Sequence, residues 1–247
     1  MISAGLALPL AAAGEVGEGF FRERSADTRP CQATDALFCF DWARENIGEY
    51  VTPAIQHVEL VAISVVAGFA IAFALALLAH RHAWLRPPLL GATGVLYTIP
   101  SIAFFFLLLP ITGFGRDSAV IALSAYTLQI IYRNTMAGLA NVPPSVTEAA
   151  RGMGLTERQI LWRVELPLAT PEIVAGLRIA TVSTVALATL AVFIGAGGLG
   201  DPIYEFITFK TNIIIAGGLA IAIAVCFDAI LLWAQRRATP WRRAAAQ

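Results

Sequence analysis

The chain has 247 residues and a mass of 26.3 kDa; 57% of it is hydrophobic, only 14% is charged, and the mean hydropathy is +0.71. Soluble domains carry roughly 45–50% apolar and about 25% charged residues, so a water-soluble globule this small could not cover its apolar surface. A disordered tail, a collagen, a nucleic-acid-binding arm and a disulfide-dense secreted module are excluded as well, since each needs charge, a glycine repeat, excess Lys/Arg or many cysteines. What remains is an all-α, polytopic membrane protein. Its 17 Lys+Arg cancel its 17 Asp+Glu, so only the positions of the charges are informative.

In chain order, residues 1–14 are apolar but too short to span, and they lack the basic start of a secretory signal; they read as a signal-like or interfacial segment. About 20 apolar residues cross a 30 Å hydrocarbon core, and five later stretches meet or approach that length. They are 58–79; 89–109, interrupted by Pro100; 119–132, which carries Gln129 and reaches spanning length only if its helix continues past Arg133 toward Leu139; a run entered at Ile173 and densest over 179–194; and 213–234. The expected organisation is an extracytoplasmic tail over 1–55, a permeation domain of about five transmembrane helices over 56–235, and a basic cytoplasmic tail over 236–247.

Short cytoplasmic loops carry the excess of Lys and Arg. Arg81 and Arg86 follow the first span; Arg133, Arg151, Arg158, Arg163 and Arg178 surround the loop after the third; Arg236, Arg237, Arg242 and Arg243 end the chain. The alternate loops hold only Arg116 and Lys210. This asymmetry predicts a multi-pass protein of a bacterial inner or plasma membrane with its C-terminus in the cytoplasm and its N-terminus outside. Cys31 and Cys39 then share the external tail, where oxidation to a disulfide is chemically open to them, two unpaired thiols being the alternative; Cys226 lies within the fifth span.

The loop over 141–171 does not read as a linker. Pro143 and Pro144 stop the preceding helix, Ser145 and Glu148 have capping-box spacing, and Gly152 and Gly154 permit a left-handed turn that ends a short helix. Thr156 and Gln159 repeat the spacing, a second helix should stop before Pro167, and Thr170-Pro171-Glu172 should start the fourth span. The result is a cytoplasmic helix-turn-helix in which the small side chains of Ala149 and Ala150 leave room for a partner surface. The alternative is an amphipathic loop whose Arg151, Arg158 and Arg163 face lipid headgroups.

Glu148-Ala149-Ala150, Gly154 four residues on, then Val164, Leu166 and Pro167 together resemble the EAA motif of ABC-importer inner-membrane permeases, departing from it only in Val164. Tyr97-Thr98-Ile99-Pro100-Ser101, Pro110–Gly115, Arg133-Asn134-Thr135, Val164–Ala169 and Ile194–Gly200 are similar to the osmoprotectant branch, which imports glycine betaine, carnitine, choline or proline, and the likeness covers roughly 57–210. The resemblance implies the fold of the methionine-importer permease. It also implies a coupling role for Glu148, Ala149, Ala150, Gly154, Leu166 and Pro167, and as partners a dimeric ATP-binding subunit, a second identical or paralogous permease and an extracytoplasmic substrate-binding protein.

Other signals are weaker. Gly195, Gly197 and Gly200 spell G-x-G-x-x-G, but the run closes a membrane span instead of following a strand, so an external turn is the reading. No phosphate-binding G-x-x-x-x-G-K-[ST] occurs; the chain is expected to be non-catalytic, with no cofactor, no metal and no nucleic-acid partner, besides lipid. His57, His80 and His82 lack metal-ligand spacing and read as solvated interface residues. Asp228 is placed to pair with Arg178, a proton or ion site being the sharper alternative. Ser64, Gly68, Ala72 and Ala76 give the first span a small packing face, and Gly218 with Ala222 suggests the same in the fifth. Pro100 breaks the second span among Tyr97, Thr98 and Ser101, and broken helices often line translocation paths. Tyr97, Phe104 and Tyr126 would offer cation-π partners to a quaternary ammonium solute there, packing or lipid contact being the alternative. A permease for another solute such as an amino acid is the near rival; an ATP-independent transporter or channel using Asp228 is the distant one.

Overall fold

The computed structural model of the protein describes residues 37–205 and 207–240. Cys31 lies outside them, and with it the proposed pairing to Cys39; so do residues 1–36 and 241–247. Among the described residues the fold is entirely helical. α1 (Phe40–Asn46) leads through a 3-10 turn into α2 (Val51–Arg81); α3 (Arg86–Thr98) and α4 (Ser101–Thr112) follow, then α5 (Arg116–Ala140). Two short helices, α6 (Pro144–Gly152) and α7 (Glu157–Ile160), precede α8 (Leu166–Ala188), α9 (Gly200–Glu205) and α10 (Lys210–Ala238).

All five apolar stretches fall on helix. Three continuous helical runs, Phe40–Arg81, Glu157–Ile194 and Lys210–Ala238, are long and apolar enough to cross a membrane, and the pair Ala83–Thr98 and Ser101–Thr112 makes a fourth if taken as one span. That pair is bent by 100°. Ile99 and Pro100 sit in extended backbone (ψ 129° and 133°), because a proline disfavours the helical conformation in the residue before it. α5 does continue past Arg133, to Ala140; at 25 residues it spans about 37 Å, long enough to cross although it is too polar to register by composition.

α5 is polar because it is central. It packs against α2, α3, α4 and α8, while α10 lies outermost on α8. Its hydroxyls and amide meet neighbours: Ser124 Oγ donates to the Ser64 carbonyl at 3.0 Å, Thr93 Oγ1 donates to Gln129 Oε1 at 2.5 Å, and Tyr132 OH donates to the Arg86 carbonyl at 3.3 Å. Small residues let α2 approach: Ser64, Gly68, Ala72 and Ala76 are all buried. A Cβ on Gly68 would stand 1.7 Å from Thr127 Oγ1, so only glycine fits this crossing. The second predicted small face behaves differently. Gly218 and Ala222 are exposed, with no atom of this chain within 4 Å of a Cβ added at Gly218.

The two ends of the bundle are tied differently. At the end bearing α6 and α7, Gln235 Nε2 donates to the Pro171 carbonyl at 3.3 Å, and Arg86 Nε donates to the Ala79 carbonyl at 3.2 Å, closing the last turn of α2. At the opposite end, Arg116 pairs with Glu59 at 2.9 Å and Tyr50 OH donates to Asn212 Oδ1.

Candidate functional site

The loop between α5 and α8 is a folded element, built partly as its sequence signals. α6 begins at Pro144 with Pro143 before it and no side-chain cap, so the expected Ser145–Glu148 capping box does not form: the proline pair fixes the start upstream of Ser145. At the other end Gly154 holds φ +83°; its N–H donates to the Arg151 carbonyl and that of Leu155 to the Ala150 carbonyl, at 3.0 and 3.2 Å. These two bonds are a Schellman turn that needs the left-handed conformation at Gly154, whereas Gly152 stays within the helix. The Thr156–Gln159 capping box is complete. Arg151 reaches across the turn to Glu157, Nε to Oε1 at 2.8 Å and Nη2 to Oε2 at 3.2 Å, and the carboxylate raises the guanidinium pKa further above its ordinary value.

Glu148 and Ala149 face outward, whereas Ala150 is 2% exposed, so only one of the two alanines is on the surface. The chain does not stop at Pro167 and restart at Thr170. Instead α7 passes through a π turn, Leu161–Glu165, directly into α8, which runs through Pro171, while Thr170 Oγ1 donates back to the Leu166 carbonyl at 2.9 Å. The π turn sits immediately before Pro167 and widens the helix where the proline has no N–H to give to the preceding turn, so the run continues through it. Leu166 packs with Leu139, Leu161, Ala169 and Ile173, and Phe69, Phe73 and Leu77 of α2 press on this cluster. The motif's leucine thus joins the loop to α5 and α2.

Of the three histidines only His82 is solvent-exposed as expected; His57 and His80 are not solvated interface residues. His57 is wholly buried: its Nε2 meets the Val185 carbonyl at 3.1 Å and its Nδ1 accepts from the Leu199 N–H at 3.4 Å. Gln56 Oε1 accepts from the Gly198 N–H at 3.2 Å, so α2 holds the glycine turn that closes the α8 strand of chain at the far end. His80, in the last turn of α2, contacts Glu165 at 2.9 Å in the π turn. Nothing in the linear pattern marks these contacts, since each joins residues 85 to 142 positions apart.

Tyr97, Phe104 and Tyr126 come together at the Pro100 break. Tyr126 meets Tyr97 and Phe104 edge-on, with ring centroids 6.0 and 5.7 Å apart. Its hydroxyl donates to the carbonyl of Ile99, which the break leaves without a helical partner. Thr98 instead serves its own helix, donating to the Val95 carbonyl at 2.7 Å. Tyr126 and Phe104 are buried, Tyr97 is half exposed, and Ser101 lies beside Pro100 at the start of α4. Arg178 and Asp228 form a two-pronged pair, Nε to Oδ1 at 2.7 Å and Nη2 to Oδ2 at 2.8 Å, between α8 and α10. A carboxylate engaged on both oxygens by a guanidinium is a structural clasp.

The family model for the inner-membrane component of binding-protein-dependent transport systems matches residues 60–240. The chain belongs to that family. This permease is 40% identical over 203 residues to the osmoprotectant import permease protein OsmW of Salmonella typhimurium, covering 79% of this chain and 94% of that one. It is 34% identical over 197 residues to the choline transport system permease protein OpuBB of Bacillus subtilis, covering 79% and 91%. Among solved structures, an inward-facing MetNI methionine ABC transporter matches with a TM-score of 0.66 at 23% identity, over 77% of this permease and 94% of that chain. An amino acid ABC transporter matches at 0.64 and 20%, over 81% and 98%. The likeness at this identity is one of fold, and it agrees with the fold expected from the EAA motif.

Proposed function

We propose that the protein is the membrane-spanning subunit of an ATP-driven importer for osmoprotectants, quaternary ammonium compounds or proline, and that α6 and the turn after it couple it to a separate ATP-hydrolysing dimer. The observation that carries the reading is the projecting α6 turn. Glu148 and Ala149 are presented on a short helix ended by Gly154, and Leu166 anchors the same segment in the bundle core. A loop that is rigid, exposed at its tip and packed at its root can transmit a push; a flexible linker would absorb it. The substrate class is supported by the relatives, whose names specify osmoprotectant and choline transport.

In this mechanism two permease subunits form the path, an extracytoplasmic binding protein delivers the solute, and closure of the ATPase dimer draws the two α6 elements together. The loop end is cytoplasmic in this reading, which the arginine excess there supports. Only differential affinity can shift the bundle, so the outward-open form must be favoured when the ATPase is closed. Tyr97, Pro100, Ser101, Phe104 and Tyr126 border the path at the break between α3 and α4; Tyr97 is the ring that remains open to a passing cation.

The test is uptake of labelled glycine betaine, choline, carnitine and proline by cells carrying the full system. Glu148→Lys and Gly154→Leu should abolish uptake while the protein still inserts, the first by reversing a surface charge and the second by placing a branched side chain at φ +83°. Normal uptake by both variants would overturn the coupling role; uptake of none of the four solutes by the unaltered protein would overturn the substrate class.

A further inference from the structure

Just before α8 enters the apolar region, Thr156, Arg158, Gln159, Trp162 and Arg163 line an open groove of about 470 Å³. Arg158 and Arg163 are exposed, and neither has an ion-pair partner among the described residues. The carboxylates nearest in sequence are already engaged, Glu157 by Arg151 and Glu165 by His80. The groove therefore presents two uncompensated guanidinium groups beside an indole that is 54% exposed.

Its level along the helix is informative. The first exposed apolar side chain of α8 is Leu168, five residues past Arg163 and six past Trp162. At 1.5 Å per residue that is about 8–9 Å, close to the depth of one headgroup layer. Trp84, four residues past the His80 that contacts Glu165, is exposed close to this level, with Arg81 and Arg86 on either side of it in the chain. Tryptophan and arginine gathered at one level mark a membrane–water interface.

We propose that the Arg158–Trp162–Arg163 groove seats the headgroup phosphate of an anionic phospholipid. The two guanidinium forks close on the phosphate oxygens, for which their planar donor geometry is suited, and Trp162 lies against the glycerol and upper acyl chain. A zwitterionic lipid offers the same phosphate, but its ammonium group meets the arginines unfavourably, so the site discriminates by net charge. The site needs only that α8 enters a bilayer near Leu168; it is independent of whether α6 drives transport.

The test uses the transporter, purified with the subunits it retains and placed in lipid nanodiscs, with Trp162 as the remaining tryptophan after Trp→Phe changes elsewhere. Phosphatidylglycerol or phosphatidylcholine brominated on the upper acyl chain is supplied at equal mole fraction. Phosphatidylglycerol should quench Trp162 with an apparent affinity about fivefold or more above phosphatidylcholine, the factor expected of one interfacial base. Arg158→Gln with Arg163→Gln should bring the two lipids within about twofold of each other, and Arg158→Glu with Arg163→Glu should invert the preference. Inorganic phosphate should leave the quenching unchanged. Equal quenching by both lipids, a preference that survives Arg163→Gln with Arg158→Gln, or displacement of the lipid by free phosphate would each overturn the proposal. So would protection of Trp162 from both lipids, which would assign the groove to a protein surface. Loss of uptake in Glu148→Lys with the lipid preference intact would separate this site from the coupling role.

Discussion

α5 and α10 invert the rule that holds in water. α10 is among the most apolar helices, yet only 11% of its most apolar stretch is buried inside the protein; α5 is more polar and supplies much of the core. In a bilayer the outermost helix must match lipid, whereas the central one meets only other helices and can carry Ser124, Tyr126, Thr127 and Gln129 if their groups find partners. Apolarity therefore measures lipid exposure here, and small or polar residues measure centrality.

That contrast breaks most sharply at its glycines. Gly68→Leu drives a side chain into Thr127 and should destabilise the protein by about 3 kcal/mol, read as a lower detergent-melting temperature and loss of a monodisperse peak. Arg178→Ala strands Asp228 between α8 and α10; because the pair is a quarter to a third exposed, a cost of about 2 kcal/mol is expected, and Asp228→Ala on top should cost little more. A double-mutant cycle on melting temperature checks the coupling, and strict additivity would sink the clasp. Tyr126→Phe removes the donor from the Ile99 carbonyl at about 1 kcal/mol, with the Pro100 bend retained; unchanged melting would show that water supplies the bond instead. Gly218→Leu, in open space, should leave the stability of the isolated chain unchanged or slightly raised, since leucine is the better helix former. Destabilisation as large as that of Gly68→Leu would erase the distinction between the two faces.

Much of this was legible in the linear pattern because it is local. Gly154 ends α6, Thr156 and Gln159 cap α7, and Pro100 breaks the second span, each through residues within one helical turn. The expected Ser145 cap failed for a local reason too, as two prolines compete for the same helix start. The restart expected at Thr170 failed because a π turn upstream lets the helix carry its prolines. The readings of His57 and His80 failed for a different reason: their partners, Val185, Leu199 and Glu165, lie 85 to 142 residues away. The Arg178–Asp228 pair was foreseeable because unpaired charges inside a membrane are costly enough to demand a partner.

The sequence by itself determined that the chain lives in a membrane, where several of its helices end or break, and that the segment between α5 and α8 is folded. These follow from hydrocarbon thickness and backbone capping, which act over a few residues. Only the tertiary structure decided which helix is central, which alanine of the loop faces out and which histidine locks the glycine turn. Those outcomes depend on how helices distant in sequence cross, and a bilayer, unlike water, leaves no gradient of hydrophobicity pointing toward the core.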